Sequence, residues 1–172
     1  MRIHPVIPGT RPELAALEAQ IQAARGRISA LYQVLLNSPS VAAGWEQMLS
    51  AVRNHNSLPP ALREMIILRV AVLNRASFEY DAHAPLAKAA GVGESTIASL
   101  GSVDMGAIEG LSEREKIALR YTDAMTRDIE VPDALFAEVK ANFDAQALID
   151  LTATIAAYNM VSRFLVALHV GH

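Results

Sequence analysis

Between Pro60 and Asn74 the chain has almost no polar side to turn towards water. Leu62, Met65, Ile66, Ile67, Leu68, Val70, Ala71, Val72 and Leu73 leave only Arg63, Glu64 and Arg69 as charges. Pro59 is held extended by the proline after it, while Pro60 suits the first position of a helix, so a helix starts sharply there. A helix that is apolar around its circumference has to be covered on every side, in a domain core or at a subunit contact. Its three charges therefore need partners.

Punctuation residues divide the rest of the chain into helices that could do the covering. Thr10 with Glu13 has the form of a capping box, with Pro12 tolerated in the first turn, and predicts a helix fading near Gly26. A second is expected over 28–36. Ser38 and Pro39 open a third, which carries Trp45, Met48, Leu49 and Val52 at helical spacing and ends in the polar run 53–57, with His55 in solvent. Ser77 or Asn74 is placed to cap a helix that ends at Gly91 and is bent by Pro85. A short helix over 95–100 and a Gly-rich connection to Gly110 follow. Ser112 with Glu115 is a second capping box, opening a helix to about Arg127; Pro132 begins another through Asn142. Asp144 caps a long final helix to about Val170, and His169 and His172 read as exposed. Apolar residues make up 52% of the chain but aromatics only 5%, so these helices must pack closely through small side chains. The expected fold class is all-α, and 172 residues bound one domain with a substantial core.

Arg63-Glu-Met-Ile-Ile-Leu-Arg69 is echoed by Arg114-Glu-Lys-Ile-Ala-Leu-Arg120, identical at five of seven positions with a shift of 51. Two helical hairpins of common ancestry would explain the echo. The same shift carries Glu79 and His83 to Glu130 and Ala134, so the second copy has no equivalent pair.

That pair is the main chemical signal. At 100° per residue Glu79, His83, Leu86 and Ala90 fall in one sector, with Asp81 and Lys88 roughly opposite. A carboxylate and an imidazole one turn apart on the inward face must satisfy each other, a third group or a ligand. Glu64, on the preceding helix of an antiparallel hairpin, completes a candidate set.

Charge and composition remove several function classes. A net charge of −3 with no concentration of Lys or Arg offers no footprint for nucleic acid and no polybasic membrane anchor. No cysteine is present, which excludes disulfides, thiolate metal sites and thiol redox chemistry by this chain alone. The N-terminal stretch has neither the apolar core nor the ending of a signal peptide, and no run of about 18 apolar residues lacks a charge. A soluble cytoplasmic protein is the expectation.

The segment Leu58-Pro-Pro-Ala-Leu-Arg-Glu-Met-Ile-Ile-Leu-Arg-Val-Ala, followed by Phe78-Glu-Tyr-Asp-Ala-His83 and Ala89-Ala-Gly-Val, resembles the carboxymuconolactone decarboxylase superfamily, which includes the AhpD-like alkylhydroperoxidases. The Tyr158-Asn-Met-Val-Ser-Arg163 segment is also similar to the family's C-terminal helix. The resemblance implies a single AhpD-like all-α domain over 1–172, built around antiparallel helical hairpins. Its family core lies at about 40–125, with an N-terminal helical extension over 1–37.

In the peroxidase branch the equivalent helix carries Cys-x-x-Cys-x-x-x-His, with a glutamate twelve residues before the first cysteine. Counting back from His83 puts the cysteine positions at Ala76 and Glu79, and Glu64 on the upstream glutamate. The charges remain and both thiols are gone, so peroxide reduction through a thiolate is not supported. The Cys-free branch, with its Glu-aromatic-x-x-His pattern, resembles decarboxylases of carboxylated lactones. It implies acid/base chemistry of decarboxylase, lyase or isomerase type on a small carboxylated lactone or keto acid. On that resemblance His83, oriented by Glu79, supplies a proton; Glu64 orients His83 or acts as a second base; Arg69, Tyr80 or Arg163 contacts the substrate. Tyr80 stands where tryptophan is common. The resemblance implies a homo-oligomer, trimer or hexamer, and no cofactor. Two carboxylates and one imidazole are also a donor set for a metal ion, although the resemblance does not imply one. The same charges at a subunit contact would instead make a structural network in a non-enzymatic scaffold.

Overall fold

The computed structural model describes residues 1–101 and 110–171, and these contain helices and no strand. After a short 3₁₀ turn at Pro12–Leu14 come α1 (Ala15–Arg25), α2 (Ala30–Leu35), α3 (Pro39–Asn54), α4 (Pro60–Leu73), α5 (Ser77–Ala89), α6 (Glu94–Leu100), α7 (Glu113–Arg127), α8 (Asp133–Asn142) and α9 (Ala145–Leu168). The expected connection from Gly101 to Gly110 lies mostly outside the described residues, as does His172; His169 is exposed. The chain forms two compact units, one of Met1–His55 with Leu165–His172 and one of Asn56–Phe164. The break at 55–56 falls inside the polar run that follows α3.

In the first unit α1 and α2 pack on α3. The inward side of α3 holds Ala42, Trp45, Leu49 and Val52, with Glu46 buried among them, whereas Met48 faces water. Arg25 Nε donates to Glu46 Oε2 at 2.9 Å, Ser50 Oγ to Oε1 at 2.6 Å, and the Tyr32 hydroxyl to Oε2. The buried charge is therefore fully hydrogen-bonded, as a stable core requires.

The second unit is built around α4, against which α5, α6 and α7 pack. Met65, Ile66, Ile67, Leu68, Val70 and Ala71 are all buried, as its lack of a polar side demands. Its last turn closes with Ala76 N–H donating to Ala71 O at 2.8 Å and Arg75 at φ 58°, a left-handed cap that usually belongs to glycine. This tight turn sends α5 back along α4. The Tyr80 hydroxyl then donates to Ile97 O at 3.1 Å, which ties α5 to α6.

Two expected caps take another form. Thr10 donates its hydroxyl back to Ile7 O, and Gly9 N–H is taken by Glu18, so no capping box opens α1. Neither Ser77 nor Asn74 caps α5, where Ala76 holds that position: the Asn74 amide donates to Asn159 Oδ1 at 2.9 Å and Ser162 Oγ at 2.7 Å, while Asn159 in turn donates to Thr126 Oγ1. Ser112 and Glu115 do form the reciprocal box on α7, and Asp144 accepts from Ala147 N–H at the start of α9. By length and composition α9 could cross a bilayer. Its inward side nevertheless places Leu151, Ile155 and Tyr158 in the core and hydrogen-bonds Asn159 to α7.

Candidate active site

The α4–α5 hairpin brings three ionisable side chains into the interior of the second unit. Glu79 is 2% exposed, Glu64 4% and His83 7%. The inward sector of α5 comprises Ala76, Glu79, His83 and Ala87; Leu86, expected there, is turned outwards. The helix is rotated so that the centre of its buried face lies beyond Glu79, and Leu86 falls on the rim.

His83 Nδ1 lies 2.7 Å from Glu64 Oε2. A carboxylate oxygen accepts, so Nδ1 is the donor in this pair. The Tyr158 ring of α9 meets the imidazole edge-on, with centroids 5.2 Å apart and planes at 90°. The ring of His83 is thus fixed by a carboxylate from α4 and an aromatic face from α9. Orientation by Glu79, expected from the i,i+4 spacing, is replaced by orientation by Glu64.

Glu79 has no hydrogen-bond partner for either carboxylate oxygen among the described residues. Burial holds its carboxyl well above the usual carboxylate range, because an ionised group here would lose its water and gain nothing in return. The site therefore combines a carboxylic acid with a proton to give and, one turn away, an imidazole held at Nδ1 by Glu64. Among the described residues no group of three or more acidic or histidine side chains is placed to hold a metal ion.

The three residues expected to contact substrate are held or placed as follows. Arg69 is fully buried and grips Asp123 of α7 in a bidentate pair, Nε to Oδ1 and Nη2 to Oδ2, each at 2.7 Å. That pair neutralises the one cation that α4 buries completely, at the cost of its availability to an anion. Tyr80 spends its hydroxyl on a backbone carbonyl, and Arg163 is exposed on α9. Tyr158 was not singled out by spacing, although it begins the Tyr158-to-Arg163 segment that carried part of the resemblance.

The profile of the carboxymuconolactone decarboxylase family matches residues 39–124, which include all of α3, α4, α5 and α6. An uncharacterised protein of Escherichia coli K12, YnjA, is 30% identical over 141 residues, 81% of this chain and 71% of that protein. The chain belongs to the carboxymuconolactone decarboxylase family. Solved structures agree on the fold. A protein of unknown function from Agrobacterium tumefaciens, ATU0492, described as a putative antioxidant defence protein AhpD, superposes with a TM-score of 0.73 at 24% identity, covering 80% of this chain and 94% of that one. A cysteine-to-alanine variant of the debrominase Bmp8, in complex with 2,3,4-tribromopyrrole, superposes with a TM-score of 0.80 at 15% identity, over 99% of this chain and 90% of that one. This family member has the AhpD-like helical fold without any cysteine to act in it.

Proposed function

We propose that this member of the family is an acid/base enzyme of decarboxylase, lyase or isomerase type acting on a small carboxylated lactone or keto acid. What supports the reading above all is Glu79, a carboxyl buried with neither oxygen hydrogen-bonded among the described residues, on the helix that also carries the oriented His83. By contrast Glu46 accepts from three donors, and Glu18 accepts at one oxygen from Gly9 N–H. A buried carboxyl left without partners is a group kept for a ligand.

The roles follow from the partners. Glu79 is the acid and His83 Nε2 the base; Glu64 positions the imidazole and stabilises the imidazolium that forms when it takes a proton. In a decarboxylation, the bond between the departing carboxylate and the carbon beside the substrate carbonyl breaks and carbon dioxide leaves. The electron pair passes to the carbonyl oxygen as an enolate. Glu79 then gives its proton to that carbon as the carbonyl re-forms, and is reprotonated from water through His83. A thiol route is closed to the chain itself, since it has no cysteine.

Assaying the purified protein against lactones and unsaturated or β-keto acids tests the proposal. His83→Gln and Glu79→Gln are each expected to lower turnover by about a hundredfold or more, the usual scale for removing an acid or base. Undiminished turnover in His83→Gln, with the fold intact by circular dichroism, would remove the imidazole from the mechanism.

A further inference from the structure

The exposed side of α3 is unlike that of a helix built to face water. Val41 and Met48 are each 50% exposed and lie two turns apart on one face. No exposed charge accompanies them, because Glu46 is buried and Arg53, the other ionisable residue of α3, is half-buried. Gly44 and Ala51, both exposed, complete the face, so that 41, 44, 48 and 51 follow the alternating three and four spacing of a helix–helix seam. Gly44 has no explanation within its own chain. It lies inside a 16-residue helix, where glycine is worse than any residue but proline because it gives up the most backbone freedom. It is not among the glycines with positive φ, and a Cβ placed there would meet nothing within 4 Å. Neither a turn nor internal packing therefore requires it. What a missing side chain on an exposed apolar face does allow is a close approach from outside.

We propose that α3 docks on the α3 of a second copy of this chain, antiparallel, about a two-fold axis level with residue 46. The order of side chains points to that occupant. From 41 to 51 the face runs large, small, large, small, and read backwards it runs small, large, small, large. An antiparallel copy therefore brings Met48 level with Gly44 and Val41 level with Ala51, each large side chain opposite a gap, and the two-fold repeats both contacts. A parallel copy in register would instead set Met48 on Met48 and leave two facing glycines as a void. The helix dipoles also favour the antiparallel arrangement. Because the face exposes no charge, pairing brings no like charges together and strips none of water. The surface belongs to the first compact unit, whereas Glu64, Glu79 and His83 belong to the second, so the contact stands or falls independently of the acid/base function.

Sedimentation velocity of the purified full chain over a micromolar concentration series, combined with cysteine cross-linking, tests the pairing. The wild type is expected to self-associate reversibly. Gly44→Leu, whose Cβ meets open space in its own chain, should associate at least tenfold more weakly while keeping its helix content by circular dichroism. Met48→Lys, at a position already half exposed, should show the same loss and stands in should the leucine variant fail to fold. Since the chain has no cysteine, introduced cysteines report the register. Val41→Cys mixed with Ala51→Cys should give a disulfide-linked dimer under mild oxidation, and neither variant alone should. Like positions in the antiparallel pair stand about 15 Å apart along the helices, and a disulfide spans only about 7 Å between Cα atoms. A monomeric wild type, or Gly44→Leu and Met48→Lys variants that assemble as tightly as the wild type, would overturn the proposal. So would self-cross-linking of Val41→Cys in place of the mixed product, which marks a parallel pair, or assembly with no mixed product, which puts the contact on another face.

Discussion

At the scale of single residues, Glu79 couples stability to pH in a direction opposite to most surface carboxylates. Its folded-state carboxyl titrates above the ordinary glutamate range because burial disfavours the charge. In the unfolded chain it ionises at about pH 4.3. Below that value both states hold the proton and the group has no effect. Above it the unfolded state loses a proton that the folded state keeps, so stability falls as pH rises until the raised folded value is passed. The slope from this group approaches about 1.4 kcal/mol per pH unit within that window. Glu79→Gln, which cannot ionise, is expected to gain stability relative to wild type as pH rises from about 5 to 8, measured by urea unfolding at each pH. A constant difference between the two proteins would mean that Glu79 ionises normally in the fold. The presence of a buried Glu and His on α5 was legible from spacing and from the family pattern. The family pattern offered both Glu79 and Glu64 as the residue that orients His83, and the choice between them was not legible, because an i,i+4 pair on one helix competes with residues from helices whose rotation the local sequence does not state.

At the scale of elements, the hairpin of α4 and α5 is what makes the site, and its other supports explain where the remaining charges went. Arg69 leaves α4 on a different side from Glu64 and binds Asp123, 54 residues further along the chain. Arg127 adds a weaker contact to the same carboxylate at 3.8 Å. Arg69→Met is expected to destabilise the second unit by about 3–5 kcal/mol, because it leaves a partly buried Asp123 without its main counter-charge. In the fraction that folds, affinity for a carboxylated substrate found by the turnover assay should stay unchanged. Loss of affinity without loss of stability, in denaturant titrations paired with calorimetry, would return Arg69 to the substrate. Helix positions were legible because period and punctuation are local: Pro39, Pro60, Gly26 and Gly91 mark ends that the structure places within a residue or two. The Asn74 side chain is not spent on capping α5 because its partners, Asn159 and Ser162, lie on α9, far along the sequence.

At the scale of the whole molecule, Glu46 of the first unit and Glu79 of the second are both buried and behave oppositely. Burial by itself would raise the Glu46 carboxyl, but donation from Arg25, Ser50 and Tyr32 outweighs it and holds the group below its usual range. Its contribution is therefore fully present above the unfolded glutamate value and is lost as pH falls through the lowered folded value. Trp45, the only tryptophan, neighbours Glu46 on α3 and reports on this unit. Acid titration followed by Trp45 fluorescence should show the first unit loosening at low pH in the wild type. In Glu46→Gln the signal should lose that acid dependence and start from a less stable unit at neutral pH. An unchanged acid transition in the variant would assign it to other carboxylates. The sequence by itself determined the helical class, the buried character of α4, the family and the absence of thiol chemistry, since periodicity, composition and motif spacing need no third dimension. Only the tertiary structure decided that Glu64 holds His83, that Asp123 takes Arg69, and that neither carboxylate oxygen of Glu79 has a hydrogen-bond partner among the described residues. Hydrogen-bond partners are chosen by how whole helices rotate against one another, and that rotation is set by packing of the entire core.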